Sequence, residues 1–185
     1  MKRRMILAFM IDRPGVLNKI SMLIRRKMYN VETITACRTH RPGISRMTFV
    51  VEGDRRQVLQ VQTQLAKLIN VTEVQNVTDE PTVVRELALV KVNADSTNRA
   101  EILQLVDIYR ASIVDVAMDS LVIQITGPEE RVNSLISLLE SFGIKEMVRT
   151  GTIGAQAPGA YEERVRYGRE PPILGFDPKC PGLVV

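Results

Sequence analysis

The sequence predicts an α/β chain made of two βαββαβ domains, joined by a short linker and followed by an irregular C-terminal tail. Three observations carry this. Apolar residues recur with strand-like and helix-like spacing in the order strand, helix, strand, strand, helix, strand, and then in that order again. A Thr78-Asp79-Glu80-Pro81 stretch separates the two series. The length of 185 residues gives room for two small domains of about 70–80 residues each.

The first strand is expected over Met5 to Ile11, an unbroken apolar run of strand length that reads as buried on both faces. Asp12-Arg13-Pro14-Gly15 breaks it, with Pro14 placed for the first turn of a helix. Val16, Leu17, Ile20, Leu23 and Ile24 then recur at helical spacing, with Asn18, Lys19, Ser21, Arg25 and Arg26 opposite. Val31 to Thr39 alternates as a strand, Arg41-Pro42-Gly43 supplies a turn, and Met47, Phe49 and Val51 mark the returning strand. Val58, Val61, Leu65 and Leu68 define a second helix, and Val71 to Val77 the fourth strand.

After the linker, Leu87 to Val92 reads as a strand and Ala100 to Tyr109 as a helix burying Ile102, Leu103, Leu105, Val106 and Tyr109. Ile113 to Val116 and Leu121 to Ile125 form a hairpin. A helix after Pro128 turns Val132, Leu135, Ile136 and Leu139 inward, and Ile144 to Val148 closes the series. Each unit is four strands covered on one face by two helices, so the pair is ferredoxin-like, an α+β arrangement. The expected limits are 1–78 for the first domain, 79–83 for the linker, 84–155 for the second domain and 156–185 for the tail. From Gly151 onward lie six of the eleven glycines and five of the nine prolines, without a sustained period. Tyr161, Tyr167, Ile173, Leu174 and Phe176 give this tail some docking capacity. The sheet face away from the helices is expected to be open and covered by self-association, so a homodimer through the first domain is expected.

Composition narrows the function. The chain is 45% hydrophobic and 25% charged, with 4% aromatic residues and no Trp, so Ile, Val, Leu and Met carry its core. Met1-Lys2-Arg3-Arg4 before the apolar run superficially resembles a signal peptide. The run ends at Asp12 after seven residues, however, with no small-residue cleavage site. No stretch reaches the roughly 20 apolar residues of a membrane span. Cys37 and Cys180 stand far apart without a partner motif, which fits a reducing, cytoplasmic compartment better than a disulfide framework or a zinc site. Residues 1–78 hold 14 Lys and Arg against 5 Asp and Glu, whereas 79–150 hold 7 against 12. A basic first domain suits docking to an acidic partner, or is simply a differently solvated surface.

Catalytic patterns are scarce. His40, the single histidine, sits at a strand end beside Arg41-Pro42-Gly43, a setting typical of a solvated turn. No HExxH, CxxC or GxGxxG pattern occurs, and no carboxylates stand at a spacing that singles out an acid–base pair. Acylphosphatases share the βαββαβ order and use an Arg in the loop after the first strand, where Arg13 lies, but the surrounding pattern differs. An RNA-binding use would need aromatic side chains on the central strands; Ser45 to Glu52 offers only Phe49. The more specific site is the first strand–helix junction. Gly15, Val16 and Leu17 open a helix whose free N–H groups and positive dipole end suit a ligand carboxylate, and Gly15 permits close approach. Asp12 suits either a ligand ammonium or a helix cap. Asn30, opening the next strand, suits recognition of an α-amino acid, or serves as a turn residue.

Asp12-Arg13-Pro14-Gly15-Val16-Leu17 with Tyr29-Asn30-Val31-Glu32 resembles the ACT domain, an amino-acid-sensing module. Ser45-Arg46-Met47-Thr48, the run Arg85 to Val92, and Arg149-Thr150-Gly151 extend the resemblance over about residues 3–155, to the small regulatory subunits of acetolactate synthase. The resemblance implies an N-terminal ACT domain, a ferredoxin-like C-terminal domain and no catalytic group. It implies a large catalytic subunit as partner, which carries thiamine diphosphate, magnesium and FAD, with none of these bound by the present chain. It also implies stimulation of that subunit, feedback inhibition by valine in branched-chain (valine and isoleucine) biosynthesis, and an ACT-domain homodimer without nucleic acid or membrane partners. Carried over by position, Gly15, Val16 and Leu17 offer N–H groups to the valine carboxylate, Asp12 adds a hydrogen bond, and Asn30 arrives from the other protomer. Two departures stand out: Asp12 replaces an Asn common in the family, and Met28 replaces a Gly before the Tyr-Asn pair, so a tighter or differently placed helix end is expected there. A stand-alone ACT-type amino-acid sensor is the alternative, and a small ferredoxin-like enzyme or RNA binder a more distant one.

Overall fold

The computed structural model describes residues 2–157, and the expected tail lies outside the described residues apart from its first two positions. The chain divides into two compact units, one containing residues 1–83 together with the described residues 155–157 and the other 84–154.

In the first unit, β1 (Lys2–Ile11), α1 (Val16–Lys27), β2 (Val31–Arg38), β3 (Ile44–Gly53), α2 (Arg55–Ala66) and β4 (Val71–Asn76) follow the expected order. The sheet runs β2-β3-β1-β4, with Ile6 opposite Phe49 and Ala8 opposite Met47. Alternation then decides the faces. Ile6, Ala8, Met10, Met47, Phe49 and Val51 pack against Val16, Ile20 and Leu23 of α1 and Val58, Val61 and Leu65 of α2. At about 1.5–3 kcal/mol for each fully buried aliphatic or aromatic side chain, this seam is what holds the helices down. β1 starts earlier than the apolar run suggests, because ladder pairing to β3 continues through Arg3 and Arg4.

The opposite face is not open as expected. Leu7, Thr48 and Val50 point away from the helices, yet only 2–5% of each is exposed. Arg46 folds across this face, its guanidinium carbon 5.9 Å from the centroid of the Phe9 ring.

The second unit holds β5 (Thr82–Asn93), α3 (Arg99–Ile108), β6 (Ser112–Val116), β7 (Ser120–Gly127), α4 (Glu129–Leu139), a 3-10 turn (Glu140–Phe142) and β8 (Ile144–Arg149). Its sheet runs β6-β7-β5-β8, and Ala88, Val90, Val92, Ile123 and Ile125 meet Ile102, Val106, Val132, Leu135 and Leu139 of the helices. Leu103, expected inward, is instead half exposed. The sequence pattern misses β9 (Ile153–Gln156), which pairs with β5; a four-residue strand with Gly154 inside it carries no period long enough to read. Gln156, expected to open the tail, closes this strand. The two units are the expected ferredoxin-like pair.

Both ends of α1 depart from expectation. Its N-cap is Gly15, at φ 85°, so Pro14 lies in the turn before the helix and not in its first turn. Its C-cap is Met28, at φ 53° and ψ 38°. The helix end has not shifted for want of glycine; Met28 takes the left-handed conformation itself, the residue being 86% exposed. The Met28 and Tyr29 N–H groups bond back to the Arg25 and Ile24 carbonyls, which over-determines the turn.

Candidate functional site

The site forms where β1 ends. The Asp12 N–H donates to the Gly43 carbonyl at 2.8 Å and the Arg13 N–H to that of Ile11, which turns the chain sharply off the sheet. Gly15 then starts α1 in the left-handed region, where a residue without Cβ carries no steric penalty. The Val16 N–H reaches the Arg13 carbonyl at 3.4 Å, while those of Gly15, Leu17 and Asn18 have no acceptor among the described residues. No side chain caps the helix. The free donors and the positive end of the helix dipole therefore face outward together.

A small cleft of about 210 Å³ opens beside this turn. That is below the roughly 300–1,000 Å³ of sites for drug-sized ligands and suits something smaller. Met10, Val16, Leu17, Ala36 and Met47 line it, so the cleft is mainly apolar. Its polar rim holds Asp12, Arg13, Arg38 and Ser45. Leu17, read as inward from its spacing, is 56% exposed at this mouth.

Asp12 does not cap α1. Its Oδ2 accepts a 3.0 Å hydrogen bond from Nε of Arg38, the last residue of β2. The reason is position: Asp12 precedes Gly15 by three residues across a turn, too far back to reach the N–H groups that an N-cap side chain serves. Arg38, Cys37, Ala36 and Met47 are cleft residues that the sequence reading missed. Strand alternation was legible there, but which end of β2 meets the β1–α1 turn follows from strand order, and no local signal carries that.

Asn30 is elsewhere. It precedes β2, whose other end reaches Arg38, so about 26 Å of strand separates the two. Its Nδ2 donates to Glu52 Oε2 at 3.1 Å, and its carbonyl accepts from the Glu52 N–H. Within one chain the structure brings Asp12, Val16 and Leu17 together at the cleft, with Gly15 adjoining it, and leaves Asn30 apart. His40 is exposed in the turn after β2, and among the described residues no His, Cys, Asp and Glu side chains gather as a metal-binding group. No helix among them is long and apolar enough to cross a membrane.

Two ferredoxin-like units, the first with an uncapped helix N-terminus beside a small apolar cleft, place this molecule among proteins built on an ACT domain. Residues 6–73 match a family model described as an acetolactate synthase (AHAS) small subunit-like ACT domain, and residues 85–157 one described as the small subunit of acetolactate synthase. The chain belongs to the acetolactate synthase small-subunit family. It is 45% identical over 152 residues to the acetolactate synthase small subunit of Bacillus subtilis, covering 81% of this chain and 88% of that protein. It is 46% identical over 142 residues to a probable acetolactate synthase small subunit of Archaeoglobus fulgidus, covering 77% and 89%. The crystal structure of the small subunit from Thermotoga maritima superposes with a TM-score of 0.79 at 32% identity, over 85% of this chain and 98% of that one. The chain is thus a small, regulatory subunit, as the motifs implied.

Proposed function

We propose that this chain stimulates the catalytic subunit of acetolactate synthase and makes it subject to feedback inhibition by valine, bound at the cleft beside Gly15. The observation that carries this reading is a small, mainly apolar cleft lined by Asp12 and Leu17, at a helix start where the Gly15, Leu17 and Asn18 N–H groups have no acceptor among the described residues. An α-amino acid has one group for each: its carboxylate for the helix N-terminus, its ammonium for Asp12, its aliphatic side chain for Met10, Val16 and Met47. Thiamine diphosphate, magnesium and FAD belong to the catalytic subunit in this reading, and the present chain contributes no catalytic group. It acts in the cytoplasm, in the synthesis of valine and isoleucine.

The proposal includes a homodimer. β2, eight residues long, stands at the edge of the sheet that the described residues form. Antiparallel pairing of two β2 strands sets the start of one beside the end of the other. That brings Asn30 of one copy to the Asp12–Arg38 end of its partner and supports the reading of a shared effector site. Valine regulates here by binding one dimer arrangement more tightly than another and so shifting the population that fits the catalytic subunit.

The test is reconstitution: the chain is mixed with an acetolactate synthase catalytic subunit, with and without valine, and acetolactate formation is followed. Stimulation that valine reverses is expected. Absence of both effects sinks the reading in favour of a stand-alone sensor. Sedimentation at micromolar concentration is expected to give a dimer mass, and a clean monomer overturns that part.

A further inference from the structure

Asp12 presents this cleft with a difficulty. A ligand carboxylate at the α1 N-terminus lies close to the Asp12 carboxylate, and like charges at that separation repel. The single bond from Arg38 Nε to Asp12 Oδ2 answers it. Asp12 Oδ1 and both Arg38 Nη atoms have no further partner among the described residues, so the pair keeps a free acceptor beside free donors. Both residues line the cleft, and Asp12 is its single acid.

We propose that Arg38 is a positioning and specificity residue of the effector site: by holding Asp12 Oδ2 it cancels the charge that opposes the effector carboxylate and leaves Oδ1 for the ammonium. The pair then accepts a free, zwitterionic amino acid, where Asp12 alone would favour an amine lacking a carboxylate. This rests on the effector reading above and adds a residue to it. Arg38 is no general brace, since its side chain is 86% exposed and its removal strips nothing from the core.

The experiment is calorimetric titration of the full chain with valine and with valinamide, which keeps the ammonium but lacks the carboxylate. Arg38→Met is expected to weaken valine binding about fivefold, the scale of an exposed charge interaction, and to leave valinamide binding no weaker. Asp12→Asn in the Arg38→Met background is expected to restore valine binding to within about twofold, because a neutral amide no longer needs its charge cancelled. Unchanged valine binding by Arg38→Met overturns the proposal. So does a double variant as weak as the single one, which would make Arg38 a direct ligand of the carboxylate. If valine fails to bind the unaltered chain, the effector reading itself falls, and this inference with it.

Discussion

Glu86 and Arg149, 63 residues apart, are joined by two parallel hydrogen bonds of 2.7 Å, from Arg149 Nε and Nη2 to the two oxygens of the Glu86 carboxylate. The ladder explains the meeting: Ala88 on β5 stands opposite Arg149 at the end of β8, and Glu86 shares the face of Ala88 two positions earlier, within reach of the guanidinium. One position on, the Leu87 N–H donates to Thr150 Oγ1 at 3.1 Å and the Thr150 N–H to the Leu87 carbonyl at 3.0 Å. The two second-domain motifs are thus halves of one structural clasp.

Glu86 is 5% exposed in its side chain, so removing its partner leaves a buried, uncompensated carboxylate. Arg149→Met is expected to cost about 3 kcal/mol of unfolding free energy. Replacing both residues, as Glu86→Leu with Arg149→Met, is expected to recover most of that loss. Urea unfolding at neutral pH measures both, and equal midpoints for single and double variants would contradict the account.

Met28 carries left-handed strain that glycine would not. Met28→Gly is expected to stabilise the first unit by roughly 0.5–1 kcal/mol. Relief of about 1–2 kcal/mol of backbone strain outweighs the greater freedom of glycine in the unfolded chain. The exposed side chain contributes no packing to lose. An increased urea midpoint at constant slope is the signature.

Gly15 separates two effects that a substitution usually mixes. Nothing lies within 4 Å of a Cβ built there, so backbone conformation and not crowding limits what it tolerates. Gly15→Asp is expected to weaken valine binding at least tenfold, because an N-cap carboxylate takes the Leu17 and Asn18 N–H groups for itself. Gly15→Ala strains the turn by about 1 kcal/mol but leaves those donors free, and is expected to retain binding. Calorimetric titration of both variants checks this, and equal losses would place the carboxylate elsewhere.

Asp95 provides a pH signature at the entry to α3. Its Oδ1 accepts bonds from the Thr97 hydroxyl, the Thr97 N–H and the Asn98 N–H, which together hold its pKa below the ordinary carboxylate range. A group with a lowered folded-state pKa stabilises the fold above its unfolded value and loses that contribution as pH falls through the folded one. Stability is therefore expected to decline in acid across that window, with a shallower decline in Asp95→Ala. A carbon-detected NMR titration of Asp95 reads the midpoint directly, and an ordinary value would refute the assignment.

The eight main strands, four helices and paired ferredoxin-like architecture were legible from the chain alone, because spacings of two, three and four residues declare which side of an element is apolar. The family was legible too, in Asp12 to Leu17 and in the Arg85–Val92 and Arg149–Gly151 motifs. What the sequence left open are matters of long-range pairing. Asp12 reads equally well as a cap until strand order puts the end of β2 beside it and Arg38 takes its carboxylate. Met28 reads as a misplaced helix end until the bonds to Ile24 and Arg25 are seen to hold it left-handed. Local periodicity sets each element's own geometry within a few residues. Ion-pair partners and cleft walls depend on register summed across whole strands, and only the packed sheet decides that.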